Sequence, residues 1–178
     1  MRLRLNLCDV DVQIKISGWQ GMDPDEDLGD WWGDWCNVEL SFHSKYLNYS
    51  PNEEILMASE VQYLCDDLEA LLDGSLPGDE HLGFVEPDME FDLRVAKRLY
   101  DIPGHVTYRN GYKDVDVFAE WTINFWCSDG LGANSFKMGL DRNDLQNICN
   151  YLRYVIGRIG KDAPEIVDML EKGTLLPE

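Results

Sequence analysis

The chain has 178 residues, 44% of them hydrophobic and 28% charged, with 15 Gly and seven Pro, a composition that suits one globular domain over 1–178 and argues against a disordered tail, a collagen or a multidomain enzyme. Fifteen Lys and Arg against 34 Asp and Glu leave a formal charge of −19, which argues against a phosphate-binding surface, so no nucleic acid is expected as a partner. No apolar run approaches the roughly 18 to 20 residues of a spanning helix, and MRLRLNLCDVDVQIK lacks the apolar core of a secretory signal, so a cytoplasmic protein with no membrane partner is expected.

Period-two alternation opens the chain. Val10, Val12, Ile14 and Ile16 share one face and Asp9, Asp11, Gln13 and Lys15 the other, which predicts a strand near 8–17 with a shorter one before it. Residues 20–34, QGMDPDEDLGDWWGD, carry Gly, Pro and acids without periodicity and predict a long loop of the kind that binds partners. Cys36, Val38, Leu40 and Phe42 resume the alternation. Residues 45–49 and 53–57 then predict an imperfect strand pair, with Ser50, Pro51 and Asn52 as its turn.

Ser59 and Gln62 form a capping-box pattern ahead of Val61, Leu64, Cys65, Leu68, Leu71 and Leu72, with Gly74 just past the end, so a first helix is predicted from Ser59. Its other face carries Glu60, Asp66, Asp67, Glu69 and Asp73. Strands are expected at 82–86 and 88–95, interrupted by Pro87, which cannot donate to a ladder. A short strand at 105–109, an Asn110-Gly111 hairpin signal, a long strand at 114–127 and another at 134–140 follow. Asp141 caps a helix whose apolar positions run from Leu145 to Ile159 and end at Gly160. Asp162 caps a last helix over 162–173, with Pro164 in its first turn. Neighbouring strands joined by turns, without regular β-α-β alternation, predict an α+β domain: a mainly antiparallel sheet packed by two longer helices and a short C-terminal one.

The charge is concentrated. Residues 16–93 hold 20 acids and one base, Lys45, whereas the remainder is neutral. Two readings stand: a solubilising face, or a one-signed field that steers a basic partner. The segment Asp30-Trp31-Trp32-Gly33-Asp34-Trp35 is the most unusual. Indoles flanked by carboxylates suit an interface, and the alternative is that Trp31 or Trp35 pins the loop to the core. The candidate partner-binding set is therefore Asp23, Asp25, Asp27, Asp30, Trp31, Trp32 and Asp34 in the loop, with Asp66 and Asp67 on the first helix.

Signals for chemistry are weak. Asp23-Pro24-Asp25-Glu26-Asp27 alternates oxygen ligands, but Leu28 stands where a calcium loop needs glycine and Asp34 where it needs a bidentate glutamate. His43, His81 and His105 have no metal or nucleophile spacing, and no Gly-rich nucleotide loop or nucleophile elbow occurs. Five cysteines are widely spaced without a C-x-x-C pair, as expected for free thiols; Cys65 and Cys149 fall on apolar helix faces. No cofactor, metal or catalytic residue is therefore expected. The competing reading is a small hydrolase or metal-dependent enzyme using His81, Glu86 and a neighbouring carboxylate.

The order of segments carries a further signal. DWWGDWCNVELSF entering a strand, a capped helix ending LLDG, FVEPDMEFDL at 84–93, a long strand, and SFKMGLDRNDL leading into a helix together resemble small bacterial proteins of the WapI-like immunity family. The resemblance spans roughly 8–156; the acidic segment near 20–30 and the helix at 162–173 depart from it. It implies a non-enzymatic protein that neutralises a toxin domain by binding it. Where such a toxin is a nuclease its phosphate cleft is basic, so an acidic surface both steers association and fills the cleft.

Overall fold

The structure is a computed structural model and describes residues 1–7, 9–19, 35–45, 48–50, 52–86, 88–95, 117–126 and 133–177. The strands Arg2–Leu7 (β1) and Val10–Ser17 (β2) form a hairpin whose turn places Asp9 at φ +68°. The short leading strand pairs with β2 from Leu3, opposite Ile14, to Leu7, opposite Val10. Trp35–His43 (β3) runs antiparallel to β2.

Asn48–Tyr49 (β4) and Asn52–Met57 (β5) both pair with β3 on its far edge, β4 opposite Phe42 and His43 and β5 opposite Trp35 to Glu39. They do not pair with each other. The hairpin between these two segments that the composition suggested is therefore not formed; Pro51 lies outside the described residues. The reason is register: β3 is long enough to offer rungs to both segments.

Ala58–Asp73 (α1) follows without a loop, one residue before the expected Ser59 start, with Met57 as N-cap. Met57 has no oxygen to cap with. Glu60 does the work instead, its Oε2 accepting the Met57 N–H at 2.8 Å while its Oε1 accepts the Val85 N–H at 2.6 Å. The helix therefore closes on a buried carboxylate that also fixes the turn after Glu80–Gly83 (β6).

β6 heads a second antiparallel sheet, continuing through Met89–Arg94 (β7), Phe118–Trp126 (β8) and Ala133–Leu140 (β9). The predicted segments at 105–109, the Asn110-Gly111 turn and the loop over 20–34 lie outside the described residues. Arg142–Val155 (α2) starts as expected: the Asp141 carboxylate accepts the N–H groups of Asn143 and Asp144 at 2.9 and 3.0 Å.

It ends a turn earlier than the apolar spacing suggested. The N–H of Gly157, at φ +76°, bonds Tyr154 O, and that of Arg158 bonds Arg153 O, a Schellman closure. Pro164–Glu171 (α3) has Ala163, not Asp162, as its N-cap. The chain finishes on Leu175–Leu176 (β10), which pairs with β1, so the first sheet runs β10-β1-β2-β3 with β4 and β5 at its edge.

The chain is α+β, with two antiparallel sheets and three helices. The inward faces of both sheets and the apolar stripes of α1 and α2 share one core. Trp121 of β8 stacks on Phe91 of β7, with ring centroids 5.3 Å apart, and meets Phe42 of β3 at 6.4 Å. Alternation is thereby explained on both sheets: buried Val12, Ile14, Val38, Leu40 and buried Met89, Phe91, Ala119, Trp121 point at one another, leaving the acids outside. Among the described residues, no helix is long and apolar enough to cross a membrane.

Candidate partner-binding surface

The buried stripe of α1, Val61, Leu64, Cys65, Leu68 and Leu71, fixes which way its acids point. Asp66, Asp67, Glu69 and Asp73 lie off that stripe, and α2 runs alongside. The Schellman turn aims Arg158 back across the seam, where Nη2 donates to Asp66 Oδ1 and Nη1 to Glu69 Oε2 at 2.8 Å. Arg153 forms a second ion pair with Glu69 at 3.1 Å, and Gln62 donates to Asp66 at 3.1 Å. Asp73 accepts the Ser75 N–H at 2.8 Å, and its carboxyl is held below the ordinary range by the Ser75 side chain and backbone.

The same compensation recurs elsewhere. Arg2 and Lys15 meet Glu39, and Arg94 and Lys137 meet Asp92. The acids concentrated in 16–93 thus draw cations from the neutral remainder, which chain order cannot reveal.

Asp66 and Asp67, adjacent in the sequence, consequently have opposite surroundings. Asp66 is neutralised. Asp67 is half-buried, and its carboxyl is pushed above the ordinary range by burial and then by Glu80 and Asp66. Among the described residues, Asp67, Glu80 and Glu86 have no cationic partner. Tyr63, 54% exposed, lies one turn before Asp67 on α1, and Val85, 50% exposed, is held to the start of that helix through Glu60. An aromatic ring, an aliphatic side chain and uncompensated carboxylates therefore share the α1 face and the β6–β7 turn. Sequence reasoning passed over Tyr63 and Glu80 and weighed Glu86 only for catalysis, although Tyr63 stands off the apolar stripe among acids, which is a legible signal. The candidates Asp23, Asp25, Asp27, Asp30, Trp31, Trp32 and Asp34 lie outside the described residues.

His81 is exposed, with its Nδ1 3.0 Å from Asp92 Oδ1. That carboxylate also meets Arg94 and Lys137, so it is engaged by cations rather than set to orient a base. His43 Nδ1 lies 3.2 Å from Asn48 Oδ1, and His105 lies outside the described residues. Cys36, Cys65 and Cys149 are buried thiols outside any disulfide. Cys65 and Cys149 face each other across the α1–α2 seam: their hydrogen bond holds Cys149 below the ordinary thiol range, and together with burial holds Cys65 above it.

The model of the immunity protein WapI-like family matches residues 7–160. No curated protein and no solved structure matches the chain.

Proposed function

Since the chain belongs to the WapI-like immunity protein family, we propose that it is a non-catalytic inhibitor that neutralises a basic toxin domain by binding it, through the α1 face and the acidic segment 20–34. The observation that carries this reading is the Asp67–Glu80 pair. Burial and the nearby Glu80 charge disfavour the Asp67 carboxylate, neither acid has a cationic partner among the described residues, and a Lys or Arg from a partner would relieve the repulsion. Tyr63 beside them supplies the large, low-entropy contact area typical of an interface anchor. Arg158 and Arg153 pair with Asp66 and Glu69, whereas Asp67 and Glu80 stay open to a partner's cation. Asp23, Asp25, Asp27, Asp30 and Asp34 would extend the negative field for steering, with Trp31 and Trp32 adding apolar contact. A nuclease is the toxin class whose cleft best complements such a surface, because phosphate binding requires clustered cations.

The test is a pull-down of tagged chain from a lysate of its own organism, washed at low and then high salt, followed by association kinetics with the recovered polypeptide. One basic polypeptide, released by salt, is expected. Its association rate should fall roughly tenfold or more in the D67K/E80K variant at low ionic strength, and far less at high ionic strength. A recovered toxin whose association is unchanged by D67K/E80K would overturn the surface, and a recovered toxin that keeps full activity in the complex would overturn the inhibitor.

A further inference from the structure

Cys65 and Glu69 stand four residues apart on α1, so both project from one side of that helix, and Cys149 faces them from α2. The two sulfurs and a Glu69 carboxylate oxygen all lie within 4.8 Å of one another. Both cysteines are buried, whereas Glu69 is half-exposed at the rim of the seam and leaves a way in. Ligands of one tetrahedral ion, bound at about 2.3 Å for sulfur and about 2.0–2.2 Å for oxygen, stand roughly 3.5 Å apart. Side-chain rotation of about an ångström therefore closes this set around an ion, with both helices left in place.

We propose that Cys65, Cys149 and Glu69 form a binding site for a thiophilic divalent cation of the zinc class, with water in the fourth position. Two sulfurs and one carboxylate select such an ion over magnesium or calcium, which take oxygen alone. The charge balance fits as well. Two thiolates, a carboxylate and a divalent ion sum to −1, and Arg158 and Arg153 already stand at this point. Arg158 Nη1 is 3.7 Å from Cys65 Sγ and 2.8 Å from Glu69 Oε2, and Arg153 Nε is 3.1 Å from Glu69 Oε1. When one Glu69 oxygen turns to the ion, the other can keep an arginine, the outer-shell support that such ligands ordinarily have. The site lies on the seam and does not depend on the proposed toxin-binding surface.

Cobalt(II), a spectroscopic stand-in for zinc, is titrated into the reduced full-length chain, and bound zinc is measured after dialysis. One equivalent of either metal is expected, with cobalt giving sulfur-to-metal charge-transfer and tetrahedral d–d bands. C65S and C149S should abolish the charge-transfer band. E69Q, at a rim position that leaves the core intact, should weaken affinity at least about tenfold. C8S/C127S should bind as the native chain does, and far-UV circular dichroism identifies any variant that fails to fold. The absence of a thiolate–cobalt band in the native chain, or a band untouched by E69Q and lost in C8S/C127S, would overturn the site.

Discussion

The buried hydroxyl of Tyr151 accepts the main-chain N–H of Ile16 at 2.8 Å. The β1–β2 ladder ends at the Leu3–Ile14 pair, so Ile16 lies just beyond its last rung, and α2 supplies the acceptor that the strand does not. The same hydroxyl lies 3.5 Å from the Met1 carbonyl, so one side chain closes the frayed end of the hairpin. Y151F removes the acceptor and leaves a buried donor unsatisfied, which costs about 1–3 kcal/mol. Urea unfolding should show a lower midpoint at unchanged slope. A loss under about 0.5 kcal/mol would mean that the Ile16 N–H finds another acceptor.

Asp67 sets stability against binding. Its carboxyl is raised by burial, Glu80 and Asp66, so the folded chain disfavours the charged form. Stability from this group is fully present below the ordinary carboxylate range and is lost as pH rises through the raised value. D67N escapes that loss. At pH 7 it should be more stable than the native chain, by no more than about 0.5 kcal/mol once solvent screening is counted, and the advantage should vanish at low pH. The same variant should associate more slowly with the toxin, whereas E69Q, at an acid already paired with two arginines, should leave association nearly unchanged. Stability measured at pH 3.5 and 7, with association rates at two salt concentrations, separates the two effects.

Much of the framework was legible because period and cap agreed. Val10 to Ile16 and Met89 to Leu93 alternate, and each proved to have one buried face. Asp141 caps α2 as its sequence indicated. Misreadings arose where a tertiary partner replaced a local one. Helix α1 begins at Ala58 rather than Ser59, with Met57 as its N-cap, because Glu60 reaches back to the Met57 N–H. The Ser-Pro-Asn turn signal at 50–52 gave way to the register of β3. Leu175–Leu176 is a strand only because β1 offers it an edge. Charge was least legible: the helix acids formed one uniform face in the sequence, and only the fold brings Arg158 to Asp66 across 92 positions while giving Asp67 no cation among the described residues.

Gly157 makes that rearrangement possible. At φ +76° it occupies the left-handed region that side-chain-bearing residues avoid, and the turn it makes directs Arg158 onto Asp66 and Glu69. G157A should destabilise the chain by about 1 kcal/mol, in line with the cost of left-handed backbone for an L-residue. Gly160 is the control: it has no positive φ, and a Cβ there would meet nothing within 4 Å, so G160A should be neutral or slightly stabilising by restricting the unfolded chain. Equal losses from G157A and G160A in chemical denaturation would show that the turn is not the determinant. R158A should cost no more than about 1 kcal/mol, as partly exposed ion pairs do, but should extend the uncompensated charge from Asp67 to Asp66 and steepen the salt dependence of toxin association.

Acid pH should act through the start of α2. Asp144 lies partly buried in its first turn and accepts the Asp141 N–H at 3.2 Å; burial, with the Asp141 carboxylate beside it, pushes its carboxyl up from 3.8 to about 6. The folded chain therefore binds a proton more tightly than the unfolded one. Its favourable contribution is fully present below the unfolded value of 3.8, declines as pH rises towards about 6, and is absent above. D144N keeps an oxygen for the Asp141 N–H but does not titrate. Between pH 4 and 7 the native chain should lose stability relative to D144N, with the difference growing until about pH 6 and constant beyond it. Urea midpoints at pH 4, 5, 6 and 7 for both chains would read this directly. Parallel curves would mean that Asp144 is ionised across the whole range and that helix-terminal attraction for its charge outweighs its burial.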